Sequence, residues 1–481
     1  MIKKDKKTDV SHLFPEEKTD LIYLLLEKNN LLIDKYNRLE TKFKLLEAQL
    51  AKNSRNSSKP PSSDTKKPQK KLQKTVSLKK KSDKKPGGQP GHAGKTLQKS
   101  TMPDETILLP VDECIHCGKN LKREAYTLEC RQEFEIPEPV MWVTEFQAQT
   151  KHCPACDCTT AACFPTHITH TTQYGPRAKS MMVYLNQYQL IPFNRAAEFF
   201  NAVYHQPVSP GTIVNAVGTL SIRLDTVDNG IKHLLTQSKL LHCDETGTNI
   251  NGNKQWLHTV GTEKLTHYAV HEKRGQAAMD TIGILPHFKG TLVHDHWKSY
   301  FAYKDVRHGL CNAHHLRELK FLDEHQNITW AKKMSDLLLR INAHKEVLIQ
   351  AGKAFNPFQR KNYNEDYDEI IRKASQEQAR RGSIESHNLL KRLRKYKACV
   401  LLFMNELSVP FTNNLSEQDI RMVKVKDKVS GCFRKITGAN DFCKIRSLIS
   451  TAKKNKKNIM GILKRAFEKI ITVNSLLANT S

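Results

Sequence analysis

The sequence predicts a mixed α/β core that is preceded by separate N-terminal modules. Three observations support this fold class. Short apolar runs that suit strands alternate with helical patterns between residues 237 and 324. Leucines recur at heptad spacing near the N-terminus, and a strongly basic stretch follows them. Two Cys-x-x-Cys pairs then lie between that stretch and the core.

The 481-residue chain is strongly basic, with 77 Lys and Arg against 49 Asp and Glu and a net charge of +28. Such an excess favours a polyanionic partner, with nucleic acid ahead of an anionic membrane surface. The sequence lacks an apolar run near the roughly 20 residues that a membrane-spanning helix needs, and it shows no signal-peptide pattern. We therefore expect no membrane association and a cytoplasmic location. The twelve cysteines are then thiols or metal ligands rather than disulfides.

The N-terminal heptads predict a dimeric coiled coil over residues 18–52. The d positions are Leu25, Leu32, Leu39 and Leu46, and the a positions are Ile22, Asn29, Tyr36, Phe43 and Leu50. A polar a position such as Asn29 fixes the register of a two-stranded coil. The alternative is an amphipathic helix that packs on its own domain.

The basic stretch at residues 53–105 is expected to be a flexible arm. Residues 51–100 alone carry a net charge of +13 and are rich in Ser, Pro, Gly and Asn. Such a composition cannot bury enough apolar surface to offset the entropy of ordering. Two interpretations remain open at this point: a solvated linker, or an arm that orders along DNA phosphates.

The paired cysteines predict a structural zinc site in a module at residues 106–170. Two thiolates from each pair satisfy one tetrahedral ion and leave no open coordination position. The four expected ligands are Cys114, Cys117, Cys153 and Cys156. Two strand-like runs between the pairs, Tyr126–Ile136 and Val140–Thr150, suit a zinc ribbon. The alternative is a set of reduced, buried cysteines.

Residues 171–236 are predicted to be helical. An amphipathic helix over residues 194–204 is followed by a polar turn and by a second helix that Ser209 can cap, with Pro210 at its first position. This pattern suits a helix-turn-helix that binds DNA. It suits an ordinary helical hairpin equally well.

Two aspartates follow short apolar runs in the predicted core. Asp244 follows the run at 239–243, and Asp295 follows the run at 290–294. Further strands are expected at 256–260, 266–270 and 308–311, with a hairpin turn at 251–253 and helices at 275–284 and 312–322. This β-β-β-α-β-α order is that of a ribonuclease-H-like sheet, in which carboxylates on the first and fourth strands lie side by side. Together they could hold divalent metal ions for phosphoryl transfer.

A third acid is expected from a later helix. Residues 325–405 form a predicted helical insertion, and a new helix then begins after Pro410 with Asn414 as its cap. Glu417 lies in its first turns, and Arg421 and Lys424 share its face, where they could meet DNA phosphates. Asp419 is the rival acid and points away from that face. Further DNA contacts are expected from a basic cluster in the insertion, namely Lys391, Arg392, Arg394 and Lys395.

Several motifs together resemble a known family along nearly the whole chain. They include the residues 53–64, the residues 87–92, the paired cysteines, Asp244-Glu-Thr246, the residues 295–300, Cys311-Asn-Ala-His314, the residues 413–421 and the residues 430–434. The sequence resembles a DDE transposase of the insertion sequence 66 family. One departure is the run His314-His-Leu-Arg317, where many members carry an arginine-rich segment.

The resemblance implies a catalytic triad of Asp244, Asp295 and Glu417 that uses Mg²⁺ or Mn²⁺. It implies that element-end DNA is cleaved by water and that the freed 3′-hydroxyl then attacks target DNA, in a nucleoid-associated prokaryotic protein. The competing hypotheses are a non-catalytic, dimeric, zinc-containing DNA-binding regulator and a structure-selective nuclease that does not join strands.

We therefore expect a coiled-coil dimerisation helix at 18–52, a basic arm at 53–105, a zinc module at 106–170, a helical DNA-binding segment at 171–236, a catalytic core at 237–324 and 406–470, and a helical insertion at 325–405.

Overall fold

The computed structural model describes residues 14–51, 96–381 and 383–478. Most of the predicted basic arm lies outside the described residues. The chain divides into two compact units, of which the larger holds residues 1–65, 163–200 and 207–481, and the smaller holds residues 66–162 and 201–206. In the part of the chain that the structure describes, none of the helices combines the length and apolar character that crossing a bilayer requires.

The N-terminal helix α1 spans Pro15–Ala51. Glu16 and Glu17 lie in its first turn, where negative charge is favourable beside the free backbone N–H groups. Its heptad side chains are exposed, with Leu32 at 63% and Leu39 at 69% of their full accessibility. Within a single chain, the apolar stripe of α1 is therefore left uncovered.

The cysteine module contains one short antiparallel pair of strands. Strand β1 (Thr150–His152) pairs with β2 (Thr159–Ala161) on either side of the second cysteine pair. The strands predicted at Tyr126–Ile136 and over most of Val140–Thr150 are wrong, because residues 126–149 form no strand. The apolar side chains there have no surface to cover them: Trp142, for example, is 88% exposed. Alternating apolar residues form stable strands only where one face can be buried.

The helical segment before the core contains four α-helices. They are α2 (Pro176–Val183), α3 (Phe193–Tyr204), α4 (Pro210–Arg223) and α5 (Asp225–Thr236). The Ser209 hydroxyl accepts a hydrogen bond of 3.1 Å from the Thr212 backbone N–H, which caps α4. Ile213 and Leu220 of α4 are fully buried, so this helix is anchored through its apolar face.

The core is a five-stranded mixed sheet, which confirms the predicted mixed α/β core. Its strands are β3 (Leu240–Ile250), β4 (Asn253–Gly261), β5 (Thr266–His271), β6 (Thr291–His294) and β7 (Arg307–Leu310), in the order β5-β4-β3-β6-β7. Strands β3, β4 and β5 run antiparallel, whereas β6 and β7 lie parallel to β3. Asn251 and Gly252 have φ values of 49° and 79°, as a tight hairpin turn between β3 and β4 requires.

Helices surround this sheet and form the insertion. They are α6 (Gln276–Ile282), α7 (Asn312–Gln326), α8 (Thr329–Gln350), α9 (Pro357–Arg381), α10 (Ile384–Lys395), α11 (Lys397–Val400), α12 (Leu402–Asn405), α13 (Asn414–Ser430), α14 (Ile436–Lys454), α15 (Ile459–Phe467) and α16 (Val473–Leu477). The core of the insertion, which includes Trp330 and Tyr367, is continuous with Val293 and Leu310 of the sheet. A second apolar cluster joins β4 and β5 to α13 and α14 through Leu257, Tyr268, Val423 and Phe442. The sheet is thus covered at both of its edges.

Four buried or half-buried histidines link β6, β7 and α7. His294 and His308 share a hydrogen bond of 2.9 Å between their ring nitrogens, and His296 and His315 share one of 3.3 Å. Burial lowers the pKa of both His296 and His315 to about 3, and neighbouring positive charge adds to the effect. These rings are therefore neutral in the folded protein at neutral pH.

We predict that the folded chain loses stability as the pH falls below about 6.5. Unfolded histidine takes up a proton near that pH, whereas folded His296 and His315 stay neutral until about pH 3. Each such histidine costs about 1.4 kcal/mol of unfolding free energy per pH unit across this window. Urea unfolding between pH 7 and pH 4.5 should show a shallower loss in His315→Gln than in the wild type. The exposed control, His287→Gln, should retain the wild-type slope, and equal slopes in all three proteins would contradict the prediction.

Candidate active site

The sheet brings Asp244 and Asp295 to matching positions on neighbouring strands. The parallel ladder between β3 and β6 ends at the pair His242 and Val293, and each aspartate lies two residues beyond it. The expectation that the first strand ends before Asp244 is wrong, because β3 continues to Ile250 and Asp244 lies opposite Thr259 of β4. The hairpin with β4 keeps β3 extended after β6 has ended. The two carboxylates therefore lie where a gap opens beside β3.

Asp244 lies in a strongly negative environment. Burial is the main reason that its pKa is raised well above the usual range, and the carboxylates of Glu245, Asp295 and Glu417 raise it further. His314 opposes them and lowers it. Asp295 and Glu417, the other two acids singled out from the sequence, thus lie within electrostatic reach of Asp244. The ligand atoms of these three do not form a group within 4.8 Å among the described residues.

Arg274 holds the carboxylates on the β6 side of the site. Its guanidinium donates to Glu245 Oε1 at 2.7 and 2.8 Å and lies 3.9 Å from Asp295 Oδ2. It also stacks over the rings of Trp297 and Trp256, at 3.9 and 4.9 Å from their centroids. Arg274 was not predicted, since nothing in its local sequence pattern marks it.

Glu245 is a fourth acid of the site. It belongs to the motif Asp244-Glu-Thr246, but no role was predicted for it. Its side chain is almost fully buried and accepts a hydrogen bond from the Tyr300 hydroxyl. Burial, followed by the charge of Asp295, raises its pKa to about 7, against the lowering effects of Arg274 and Tyr300. Glu245 therefore adds to the negative potential around Asp244.

Asn413 fixes the start of the helix that carries Glu417. The N-cap of α13 is Asn413 and not Asn414 as predicted. Its side-chain amide donates to the Cys243 carbonyl at 2.7 Å, and its amide oxygen lies 2.8 Å from His242 Nδ1. Because both ends of the Asn413 side-chain amide are hydrogen-bonded to β3, the side chain makes no capping hydrogen bond to its own helix. Glu417 is thereby held one turn into α13, next to the strand that carries Asp244.

Only one of the two carboxylate oxygens of Glu417 is paired with a positive group among the described residues. Its Oε2 lies 3.7 Å from Nη2 of Arg317 on α7, whereas its Oε1 is buried without a hydrogen-bond partner. Arg317 belongs to the run that departs from the family pattern, so its position here was not predicted. A carboxylate oxygen with no donor is suited to a cation.

One compact group of potential metal ligands lies at the same place. A sulfur, a ring nitrogen and a carboxylate oxygen, from Cys311, His314 and Glu417, lie within 4.8 Å of one another. Burial is the largest single effect on the pKa of His314 and lowers it, but the hydrogen bond and charge of Cys311, with the charge of Asp295, together outweigh it and raise the pKa to about 9. The sequence signal for this group was the Cys-x-x-His spacing within Cys311-Asn-Ala-His314.

The predicted DNA-binding residues divide into two sets. Arg392 is paired with Glu318 at 3.2 Å, and Lys424 donates to the Gly247 carbonyl while burial lowers its pKa. These two cations are engaged within the chain. The residues that stay exposed are Lys391, Arg394, Lys395 and Arg421. Asp419 lies elsewhere, with its carboxylate 2.7 Å from Lys454 and 3.1 Å from Thr266.

The two cysteine pairs adopt the same local backbone geometry. The Gly118 N–H donates to the Cys114 carbonyl at 2.9 Å, and the Asp157 N–H donates to the Cys153 carbonyl at the same distance. Gly118 and Asp157 both have positive φ, at 73° and 57°. Each pair therefore sits on a tight turn that points backbone N–H groups at its first sulfur.

These turns favour thiolates. The pKa of Cys114 is lowered chiefly by the backbone N–H groups of His116 and Cys117. The pKa of Cys153 is lowered in the same way by the N–H groups of the two residues that follow Pro154. Among the described residues, the four sulfurs do not form a group within 4.8 Å, so the pairs are separate half-sites here.

Comparison with known families covers the chain in two parts. Residues 6–98 match DUF6444, a family of unknown function. No curated protein matches the chain. Residues 171–441, which contain the helical segment, the sheet, the insertion and the start of α14, match the Transposase IS66 family. This match spans more than half of the sequence, and the chain belongs to the IS66 family of transposases.

Proposed function

We propose that this transposase cleaves transposon-end DNA and joins the freed end to target DNA by DDE chemistry. The observation that carries the proposal is the convergence of Asp244, Asp295 and Glu417 from β3, from the end of β6 and from α13. All three lie within the region that matches the family.

The order of the sheet supports a ribonuclease-H-like catalytic core. Three antiparallel strands are followed across the sheet by two parallel ones, with β3 at the centre. The helical insertion lies between α7 and α13 in the chain, so the third acid is far from the first two in sequence but close to the sheet in space. Carboxylates from distant parts of the chain thus come within electrostatic reach of Asp244 on β3, which supports the proposal.

The acids fit divalent cations of the Mg²⁺ or Mn²⁺ kind. The raised pKa of Asp244, to which the carboxylates of Glu245, Asp295 and Glu417 contribute, indicates a pocket short of positive charge. When bound, such ions activate the attacking oxygen and stabilise the leaving one. Two groups orient Asp295. The Arg274 guanidinium lies 3.9 Å from its Oδ2, and the Trp297 backbone N–H donates to its Oδ1 at 2.8 Å. Arg317 holds the second oxygen of Glu417.

DNA phosphates would meet the exposed cations near the site. Arg421 lies one turn beyond Glu417 on α13, and Lys391, Arg394 and Lys395 lie on α10. Contacts of this kind supply affinity without sequence readout and weaken as salt is added. Arg392 and Lys424 are left out of this set because their donors are used within the chain.

We predict that Asp244→Asn and Glu417→Gln each reduce cleavage of element-end DNA by about 100-fold or more, because metal ions supply several kcal/mol of transition-state stabilisation. Cleavage of labelled end DNA in Mg²⁺ measures the rate, and gel shift measures binding. Binding should persist, since neither side chain contributes a positive charge.

Asp305→Asn is the matched control, because Asp305 is an exposed acid of the same core. It should cleave like the wild type. Cleavage that survives both active-site substitutions would overturn the assignment.

The cysteine module is proposed to bind one structural Zn²⁺ through Cys114, Cys117, Cys153 and Cys156. The shared turn geometry and the lowered pKa values of the two leading cysteines support this. Closing the site requires the two pairs to approach each other when the ion binds.

We predict that the reduced full-length chain carries tightly bound zinc and that Cys153→Ser loses one equivalent, because three thiolates hold the ion poorly. Elemental analysis after dialysis measures the content. Cys163→Ser is the control, since Cys163 is an exposed cysteine outside the two pairs. Equal zinc in both variants would sink the proposed ligand set.

The exposed stripe of α1 is proposed to form a parallel coiled coil with a second copy of the chain. The uncovered d-position leucines support it, and coiled-coil pairing is the ordinary way to bury such a stripe.

We predict that the double change Leu32→Glu and Leu39→Glu converts a dimer into a monomer in light scattering, because charges at d positions face each other across the seam. The control is Asn30→Glu, which adds a charge at an outward position of the same helix. A wild-type chain that is already monomeric at micromolar concentration would rule out this interface.

A further inference from the structure

Cys311, His314 and Glu417 form a mixed-ligand cluster where two helices begin. Cys311 directly precedes α7, His314 lies in the first turn of α7, and Glu417 lies in the first turn of α13. Their ligand atoms all lie within 4.8 Å of one another, and they are the sole group of three or more that meets this criterion in residues 14–51, 96–381 and 383–478.

Two atoms of the cluster are buried without a hydrogen-bond partner. They are Oε1 of Glu417 and Nδ1 of His314. Buried polar atoms are nearly always satisfied, by protein, by water or by an ion. The unmet acceptor capacity of the buried Glu417 oxygen, in a group with the Cys311 sulfur and the His314 ring, indicates a missing cation.

The sulfur completes a donor set that discriminates between metals. Cys311 is 1% exposed, and its sulfur accepts a hydrogen bond of 3.1 Å from the Asn413 backbone N–H. Thiolate, imidazole and carboxylate together are ligands of the zinc class, whereas Mg²⁺ prefers oxygen ligands alone. The three-residue spacing of Cys311 and His314 places both on one face of the first turn of α7.

We propose that Cys311, His314 and Glu417 bind a transition-metal ion of the zinc class. The ion takes the place of the proton in the hydrogen bond between His314 and Cys311, and that proton passes to solvent. Glu417 offers Oε1 to this ion and keeps Oε2 toward Arg317 and the catalytic pocket. The bound ion joins the start of α7 to the start of α13 and so fixes the third acid. This proposal rests on the proposed function in one respect only, namely that Glu417 also serves as the third catalytic acid.

Cobalt(II) is the probe, because its thiolate complexes absorb light where its complexes with oxygen ligands do not. The reduced full-length chain is titrated with Co²⁺ in a background that carries Cys114→Ser and Cys153→Ser, so that the cysteine module is silent. We expect one equivalent of Co²⁺ with a thiolate absorption band. Cys311→Ser should abolish the band, and His314→Asn should weaken Co²⁺ binding by roughly 100-fold or more.

Two further variants separate this site from its neighbours. Cys443→Ser removes another fully buried cysteine and should leave the band intact. Asp244→Asn should also leave it intact, since Asp244 belongs to the catalytic carboxylates alone. If Cys311→Ser fails to fold, as circular dichroism would show, Glu417→Gln serves in its place and must shift the band and weaken binding.

The site is overturned if Cys311→Ser, or Glu417→Gln in its place, binds Co²⁺ with the same band and affinity as Cys443→Ser. That result leaves the proposed function untouched, because cleavage in Mg²⁺ is measured separately. Conversely, a chain that shows the Cys311-dependent band but does not cleave end DNA retains the metal site and loses the proposed function.

Discussion

The repulsion that three neighbouring carboxylates exert on Asp244 is the constraint on which the rest of the structure depends. Asp244 and Glu245 are adjacent on β3, and Asp295 and Glu417 raise the pKa of Asp244 further. The fold offsets part of this repulsion with Arg274, which bonds Glu245 and reaches Asp295. Oδ1 of Asp244 accepts a hydrogen bond of 2.9 Å from the Glu245 backbone N–H. A single neutral donor of this kind cannot neutralise the negative charge of a carboxylate. The divalent cations proposed for the site would neutralise what remains of this repulsion.

Strand β3 is the frame that makes such crowding possible. It pairs along its length with β4 but with β6 over three residues only, so the sheet opens beside Asp244. Asn413 then closes the opening from the other side, because its side chain bonds both His242 and the Cys243 carbonyl. These hydrogen bonds hold the helix that carries Glu417 against the strand that carries Asp244, although about 170 residues separate the two in sequence.

Local patterns predicted most elements of the core but not the contacts between them. The hairpin at Asn251 and Gly252 and the strand β5 follow from residue preferences that act over a few positions. Arg274 and Arg317 could not be predicted, because their importance comes from carboxylates that lie far away in sequence. The prediction placed Lys424 beside DNA from its helical face, yet packing of α13 on β3 turns it toward the Gly247 carbonyl. The absence of burial likewise explains why alternating residues near Trp142 form no strand.

The insertion is more than a spacer between the second and third acids. The ring of Tyr396, at the end of α10, stacks on Phe301 at 4.4 Å and meets His296 at 4.9 Å, and both of these residues follow Asp295 closely in the chain. Arg392 fastens α10 to Glu318 of α7 as well. Because the exposed cations of α10 share this helix, a phosphate held there would be positioned by the same contacts that support the Asp295 loop. The cations of the larger unit therefore fall into two groups: exposed ones, which are proposed to contact DNA, and half-buried ones such as Arg274, which hold the acids in place.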